Sequence, residues 1–275
     1  MLRIGHIDYA NCTPIFTALQ RLHDCREYRF IQDVPSNLNR MLAEGEVDLC
    51  PSSSFEYGRF ADHYLLLPDL SISSNGPVGS VFLFSRLPLE NLDREPIGLT
   101  PESATSVALL KILLKKYLGF SNSYFTASRF TDVDIFNSCQ AVLQIGNTAM
   151  KWKARYGDLY CYDLGELWHS FTRLPFVFAL WIIRRNFSDA HREESLLASS
   201  RLLEAKRAAL TMLDELASEC GESSWMGKDK LIAYWSNISY DLTPLHVAGV
   251  RRFFQDAVEL GLLGEVPQIR FLEQD

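Results

Sequence analysis

The sequence predicts an α/β protein built as two lobes, and three observations carry that prediction. Residues 2–50 alternate strand, helix, strand, helix, strand; a second alternation starts at Ile97; and the last third is helical after one long apolar run, Phe176 to Ile183. Strands joined through helices pair in parallel and are covered on both faces. A chain of 275 residues can bury one large core or two modest ones.

Leu2 to Ile7 reads as the first strand. The turn Asp8-Tyr9-Ala10-Asn11-Cys12-Thr13-Pro14 then enters a helix from Ile15 to Leu22, with Asn11 or Thr13 as cap and Pro14 at a first position where a missing N–H costs nothing. Tyr28 to Gln32 is a strand, Ser36 caps a helix to Glu44, and Gly45 ends it. Val47 to Cys50 is the third strand, which stops at Pro51 and releases Ser52, Ser53 and Ser54 into a helix start. In parallel sheets ligands bind at the carboxyl ends of strands, where both the Tyr9–Pro14 and Pro51–Ser54 turns fall. A helix start has unpaired N–H groups and a partial positive charge, so it favours anions.

Leu65 to Ser73 and Val78 to Ser85 are β-rich runs joined by Ser74-Asn75-Gly76-Pro77, with Gly79 and Ser80 at the entrance of the second. The proline-bracketed stretch Leu87–Pro96 reads as a passage between lobes. Ile97 to Leu99 is a strand, and Thr100–Ser106, containing Thr105 and Ser106, leads into a helix from Val107 to Leu118. Tyr124 to Ala127 and Ala141 to Ile145 are strands, and Gly146-Asn147-Thr148 opens the next helix as a third hydroxyl-rich or amide-rich turn. A short helix runs through Trp168, and Thr172-Arg173-Leu174-Pro175 precedes the apolar run back to the first lobe. Helices follow over about Ser195–Ser218, Trp225–Asn237 and Pro244–Leu260, with Gly261 as a stop. The expected division is residues 1–88 with 181–275 in one lobe and 89–180 in the other, a two-lobed, periplasmic-binding-protein-like (type II) fold with a ligand cleft between the lobes. Passages near Leu87–Asn91 and Leu180–Arg184 would be its hinges.

Composition narrows the function. Net charge −7 argues against nucleic acid or an anionic membrane surface as the main partner, yet leaves room for a small anion held by local donors. No apolar run approaches the roughly 18–20 residues of a membrane-crossing helix. The N-terminus has no apolar signal region, so a cytoplasmic location is expected. Nothing bears on oligomeric state. The six cysteines form no CxxC pair and read as reduced thiols, and the six histidines show no ligand pairing, so no metal is expected.

The succession Arg3-Ile4-Gly5, Tyr9-Ala10-Asn11, Pro14, then Pro51-Ser52-Ser53-Ser54-Phe55-Glu56-Tyr57, then Ile145-Gly146-Asn147, resembles the chorismate dehydratases of the futalosine route to menaquinone. So do Tyr162–Trp168, Thr172–Ala179 and Ile238–Leu242, so that the resemblance covers nearly the whole chain in order. It departs at Ala10, where the family has a bulky apolar residue, at Asn147, where it has an acid, and at Arg173, where it has glycine.

The resemblance implies removal of water from chorismate to give 3-[(1-carboxyvinyl)oxy]benzoate, with no cofactor because the ring becomes aromatic. The substrate is a small dianion. Thr105 and Ser106 would grip one carboxylate from the second lobe, and Asn11, Ser52 and Ser80 would face it from the first; Ser53, Gly146, Asn147 and Thr172 complete the binding set. The resemblance favours Asn11 and Ser80 as the catalytic contacts. Asp8, Glu56 and Asp163 are acids near strand ends that read as structural, so a substrate carboxylate held beside the ring proton is the candidate base. Two other readings stand beside this one: a ligand-binding or sensor protein without chemistry, and the sister cyclase that forms a dihydroxynaphthoate. The cyclase carries histidine where Gly146 stands here.

Overall fold

The protein, seen in a computed structural model, is described over residues 1–7, 9–126 and 135–273; Asp8 and Ala127 lie outside the described residues. In chain order the first elements are β1 (Leu2–Ile7), α1 (Thr13–Leu22), β2 (Tyr28–Asp33), α2 (Pro35–Glu44), β3 (Leu49–Ser53), α3 (Ser54–Arg59) and β4 (Tyr64–Ser74). There follow β5 (Val81–Ser85), β6 (Pro96–Leu99), α4 (Ala104–Ile112), β7 (Ser123–Thr126), β8 (Ala141–Ile145), α5 (Gly146–Arg155), β9 (Tyr160–Asp163) and α6 (Leu164–Thr172). The chain closes with β10 (Phe176–Arg184), α7 (Arg185–Ala190), α8 (Arg192–Thr211), α9 (Leu213–Glu219), α10 (Ser223–Met226), α11 (Lys228–Asn237) and α12 (Pro244–Glu259).

These elements form two compact units. The first holds Met1–Ser73, Val177–Pro244 and Pro267 onward; the second holds Ser74–Phe176 and Leu245–Val266. The division therefore falls at Ser73/Ser74 and Phe176/Val177 rather than at 88/89 and 180/181. The reason is strand pairing: β5 lies between β8 and β9, so residues 81–85 are part of the second unit's sheet. Helix α12, expected with the first lobe, also belongs to the second unit.

The first unit's sheet runs β2-β1-β3-β10-β4, with β1 parallel to β2 and β3 and β10 antiparallel to β3. β3 does not end at Pro51: it continues to Ser53, because Leu180 and Ala179 of β10 supply register partners for Ser52 and Ser53. Every residue of β3 is buried, as befits a strand covered on both faces. Helix α1 buries Ile15, Phe16, Ala18 and Leu19, spaced for one helical face, and packs on α8. The long helix expected over 195–218 breaks at Met212, and Asp214 and Glu215 in the first turn of α9 suit the new helix start.

The second unit's sheet runs β7-β6-β8-β5-β9; β6 is parallel to β7 and β8, and β5 is antiparallel to β8 and β9. After α4 the helix switches at Leu113–Tyr117 to a π-helical turn. That turn presents Lys116 and Tyr117 to the fully buried Asp256 of α12, at 2.7 Å to Oδ1 and 2.6 Å to Oδ2. Arg252 donates to the same carboxylate at 2.8 Å. A buried carboxylate with three donors is a satisfied group, and it ties α12 into this unit. Trp168, Phe176 and Phe253 pack edge to face beside it.

Arg173 caps α6 in the left-handed region, at φ 61°, and its side chain is exposed. A residue with a Cβ is strained there, in a conformation that glycine adopts freely. Arg173→Gly is expected to raise Tm by about 2–3 °C, from a gain of roughly 0.5–1 kcal/mol; a lower Tm in a thermal melt would show that the arginine makes a stabilising contact.

Candidate active site

On the first unit, the parallel strands β1 and β3 end side by side, with the N-terminal part of β10 alongside β3. Directly after β1, Cys12 N–H bonds Tyr9 O at 2.9 Å, closing a turn with Ala10 and Asn11 at its centre. The N-cap of α1 is Cys12, without a side-chain bond, so neither Asn11 nor Thr13 serves as the expected cap. Asn11 is thereby left for other work: its side-chain oxygen is buried and has no hydrogen-bond partner. A buried amide oxygen without a donor costs stability and calls for a partner, which a water, an ion or a ligand can supply.

The serine triplet at the end of β3 behaves differently from expectation. Ser52 donates to Asn39 Oδ1 at 2.6 Å, Asn39 Nδ2 donates to Ser53 Oγ at 3.3 Å, and Ser54 donates to Val177 O at 2.7 Å. Ser53 Oγ also accepts from Glu56 N–H, as the N-cap of α3. All three serines are buried with their hydroxyls committed inside the unit. Ser52 and Ser53 are therefore structural groups that brace the end of β3. The physical reason is Asn39, a buried amide on the apolar face of α2 among Pro35, Leu38 and Leu42, which needs partners of its own.

Glu56 is also buried. Burial pushes its carboxyl up, while Arg59 and the Tyr64 hydroxyl, 3.6 Å and 3.5 Å away, pull it back. It braces α3.

On the second unit, four strand ends meet at one edge of the sheet. β6, β8 and β9 finish there and the antiparallel β5 begins there. Ser80 stands immediately before β5, so it belongs to this unit, whereas the sequence placed it in the first lobe. Its carbonyl accepts Gly146 N–H at 2.8 Å, across from the Val81–Ile145 pair. Gly146 opens α5 at φ 60°, a conformation that suits glycine, and Asn147 follows in the first helical turn. No side chain caps α5 and no acidic residue lies in its first turn, so no side-chain charge there offsets the partial positive charge of the helix start.

Thr105 and Ser106 lie at the same edge, inside the first turn of α4 rather than before it, because the helix starts at Ala104. Ser103 is the cap: its Oγ accepts Ser106 N–H at 3.1 Å and donates to Ser106 Oγ at 3.0 Å. Ser106 thus retains its own hydroxyl proton for donation. Thr172 is not part of the group. It sits at the far end of α6, where its hydroxyl donates to Trp168 O at 2.8 Å and accepts Leu174 N–H at 3.2 Å.

Asp163 organises this edge. Only 6% exposed, it caps α6 by accepting Gly165 and Glu166 N–H groups at 2.9 and 3.2 Å. The same carboxylate accepts Val78 N–H and Gly79 N–H, the latter at 2.7 Å, and so fixes the turn that delivers Ser80. Burial pushes its carboxyl up, and the backbone N–H bonds act in the opposite sense. With four backbone N–H groups on its two oxygens, Asp163 is committed to structure.

Sequence reasoning missed Ser103 and Asn39. Ser103 has a local signal, a serine three residues before Ser106 at a helix start. Asn39 has none, since a lone amide in a helix does not announce a partner thirteen residues away.

Comparisons with known proteins bear on the fold and the family. The fold is that of the periplasmic binding proteins: a Candida albicans protein described as having the generic periplasmic binding protein fold superposes with TM-score 0.70 at 15% identity, covering 100% of this chain and 98% of that one. A crystal structure of an Archaeoglobus fulgidus protein superposes with TM-score 0.78 at 19% identity, over 95% and 98% of the two chains. The chorismate dehydratase of Thermus thermophilus is 36% identical over 276 aligned positions, 94% of this chain and 95% of that protein. The family model described as menaquinone biosynthesis matches residues 2–259. With both its sequence and its fold matched nearly from end to end, this chain belongs to the menaquinone biosynthesis family.

Proposed function

We propose that the chain is a chorismate dehydratase, converting chorismate to 3-[(1-carboxyvinyl)oxy]benzoate on the futalosine route, without a cofactor. The observation that carries this reading is its likeness, over nearly the whole chain, to a relative of that name. The reaction removes the ring proton at the carbon bearing the enolpyruvyl ether together with the neighbouring hydroxyl; one molecule of water leaves and the ring becomes aromatic. The enzyme's task is then to hold a dianion in one conformation. Good alignment alone can contribute roughly 7–11 kcal/mol.

Asn11 and Ser80 are the proposed catalytic contacts. The NH2 of Asn11 suits donation to the departing hydroxyl or to a carboxylate, and its partnerless oxygen is free to accept from the substrate. Thr105, Ser106, Gly146 and Asn147 stand at the sheet edge that carries the uncapped start of α5, the environment an anion favours. In this proposal the proton acceptor is the enolpyruvyl carboxylate of the substrate itself, held beside the ring proton.

Incubation of the purified protein with chorismate tests this. The expected result is loss of chorismate absorbance and appearance of an aromatic product lighter by one water in mass spectrometry. An analogue lacking the enolpyruvyl carboxylate is expected to bind and not react; normal turnover of it would remove the substrate-base step. Binding of chorismate without turnover would move the assignment to a ligand-binding protein, and turnover of cyclic dehypoxanthine futalosine would move it to the sister cyclase.

A further inference from the structure

The turn that carries Asn11 is held from outside by one stretch of chain. Its four successive carbonyls all have donors. Tyr9 O accepts Cys12 N–H and Cys12 O accepts Phe16 N–H, as part of the turn and the start of α1. The two central carbonyls take their donors from residues distant in the chain. The Trp235 indole donates to Ala10 O at 2.7 Å, and the Tyr240 hydroxyl donates to Asn11 O at 2.9 Å. Trp235 lies in the last turn of α11 and Tyr240 three residues beyond its end; both are buried.

Tyr240 is itself fixed. Ser71 N–H donates to Tyr240 O at 3.0 Å, and Ser73 and Ser239 exchange backbone bonds of 2.9 and 2.8 Å, so residues 239–241 run along β4 as an added rung. The buried Lys206 locks the far side, donating to Asp241 Oδ1 and Asp69 Oδ2 at 2.8 Å each. Asp69 adopts a left-handed backbone at φ 51°, and its carbonyl also accepts from Lys206, at 2.7 Å. The contrast is sharp: every main-chain acceptor of the turn is satisfied, while the side-chain oxygen of Asn11 is buried and unsatisfied. A rigid backbone under an unpaired amide is what a preorganised contact requires.

We infer that Tyr240 and Trp235 are positioning residues, which hold the backbone of Asn11 so that its amide meets the reacting substrate in one orientation. This rests on the proposed role of Asn11 in chorismate dehydration.

A double-mutant cycle tests it, beginning with the wild-type rate on chorismate. Tyr240→Phe is expected to lower kcat by about tenfold with KM changed less than twofold, because a loosened contact is lost mainly in the transition state. In the Asn11→Ala background the same substitution is expected to cost nothing further. Trp235→Phe is expected to behave alike. The inference is overturned if Tyr240→Phe leaves kcat within twofold, if its loss multiplies onto that of Asn11→Ala, or if neither variant shows a cooperative melt, since the two side chains would then serve the fold alone. Should the wild type leave chorismate unchanged, the failure lies with the proposed function. The clamp is then read from the Asn11 side-chain amide signal in nitrogen-15 NMR spectra, which Tyr240→Phe is expected to shift or broaden; an unmoved signal overturns it.

Discussion

Asp163→Asn is expected to lower Tm by about 5–10 °C and kcat/KM by more than tenfold. The carboxylate accepts N–H groups on two sides, from Gly165 and Glu166 at the start of α6 and from Val78 and Gly79 ahead of Ser80. Asparagine keeps one acceptor oxygen, sufficient for the helix cap, and turns an NH2 toward Val78 and Gly79. Donors then face donors in a buried place. Hydrogen bonds to a charged group contribute roughly 1.5–3 kcal/mol each, and a buried N–H left without an acceptor costs roughly 1–3 kcal/mol. About 2–4 kcal/mol of destabilisation corresponds to the stated loss in Tm. Activity falls with it because the released turn is the one that delivers Ser80. Thermal melts and steady-state kinetics on the same sample decide the matter: an unchanged Tm would mean that the Val78–Gly79 turn holds itself.

Asn11→Ala is expected to do the reverse, with a large effect on turnover and almost none on the fold. The amide oxygen has no partner to lose, so its removal leaves Tm within about 2 °C, or raises it slightly as an unsatisfied buried group disappears. Removing one preorganised contact to developing charge or a leaving group typically costs 10²–10³ in rate, and kcat/KM is expected to fall by about that factor. A kcat/KM within twofold of wild type would end the assignment. A normal rate combined with a large drop in Tm would show that the amide has a structural partner after all.

Local signals in the sequence were enough for elements whose limits depend on their own residues. β1 runs from Leu2 to Ile7 and β8 from Ala141 to Ile145 as their apolar runs suggest, and Gly45 and Gly261 end their helices in left-handed backbone, where glycine is at ease. The errors share a cause, a partner distant in the chain. Pro51 reads as a stop until β10, more than a hundred residues later, supplies a neighbour that carries β3 on to Ser53. The three serines read as anion donors until Asn39 and Val177 accept the protons of Ser52 and Ser54, and Ser53 Oγ accepts from Asn39 and Glu56. Ser80 reads as part of the first lobe until β8 and β9 draw β5 into the other sheet. The places of Asn11, Gly146 and Asn147, where a strand runs into a helix, were legible because such a junction is a local event. The clamp of Trp235 and Tyr240 was not, because it joins residues 10 and 11 to the end of α11.

The path of the chain between the units carries its own consequence for biosynthesis. It passes from one to the other at Ser73/Ser74, Phe176/Val177, Pro244/Leu245 and Val266/Pro267. Neither unit is a continuous fragment, so a gene cut at any single codon cannot yield one of them whole. As the nascent polypeptide leaves the ribosome, Lys116 and Tyr117 emerge long before Asp256, and the apolar face of Trp168 and Phe176 waits as long for Phe253. The helix that covers this hydrophobic surface is thus made long after the surface itself, and exposed apolar surface of that kind is what makes a partly folded chain prone to aggregate.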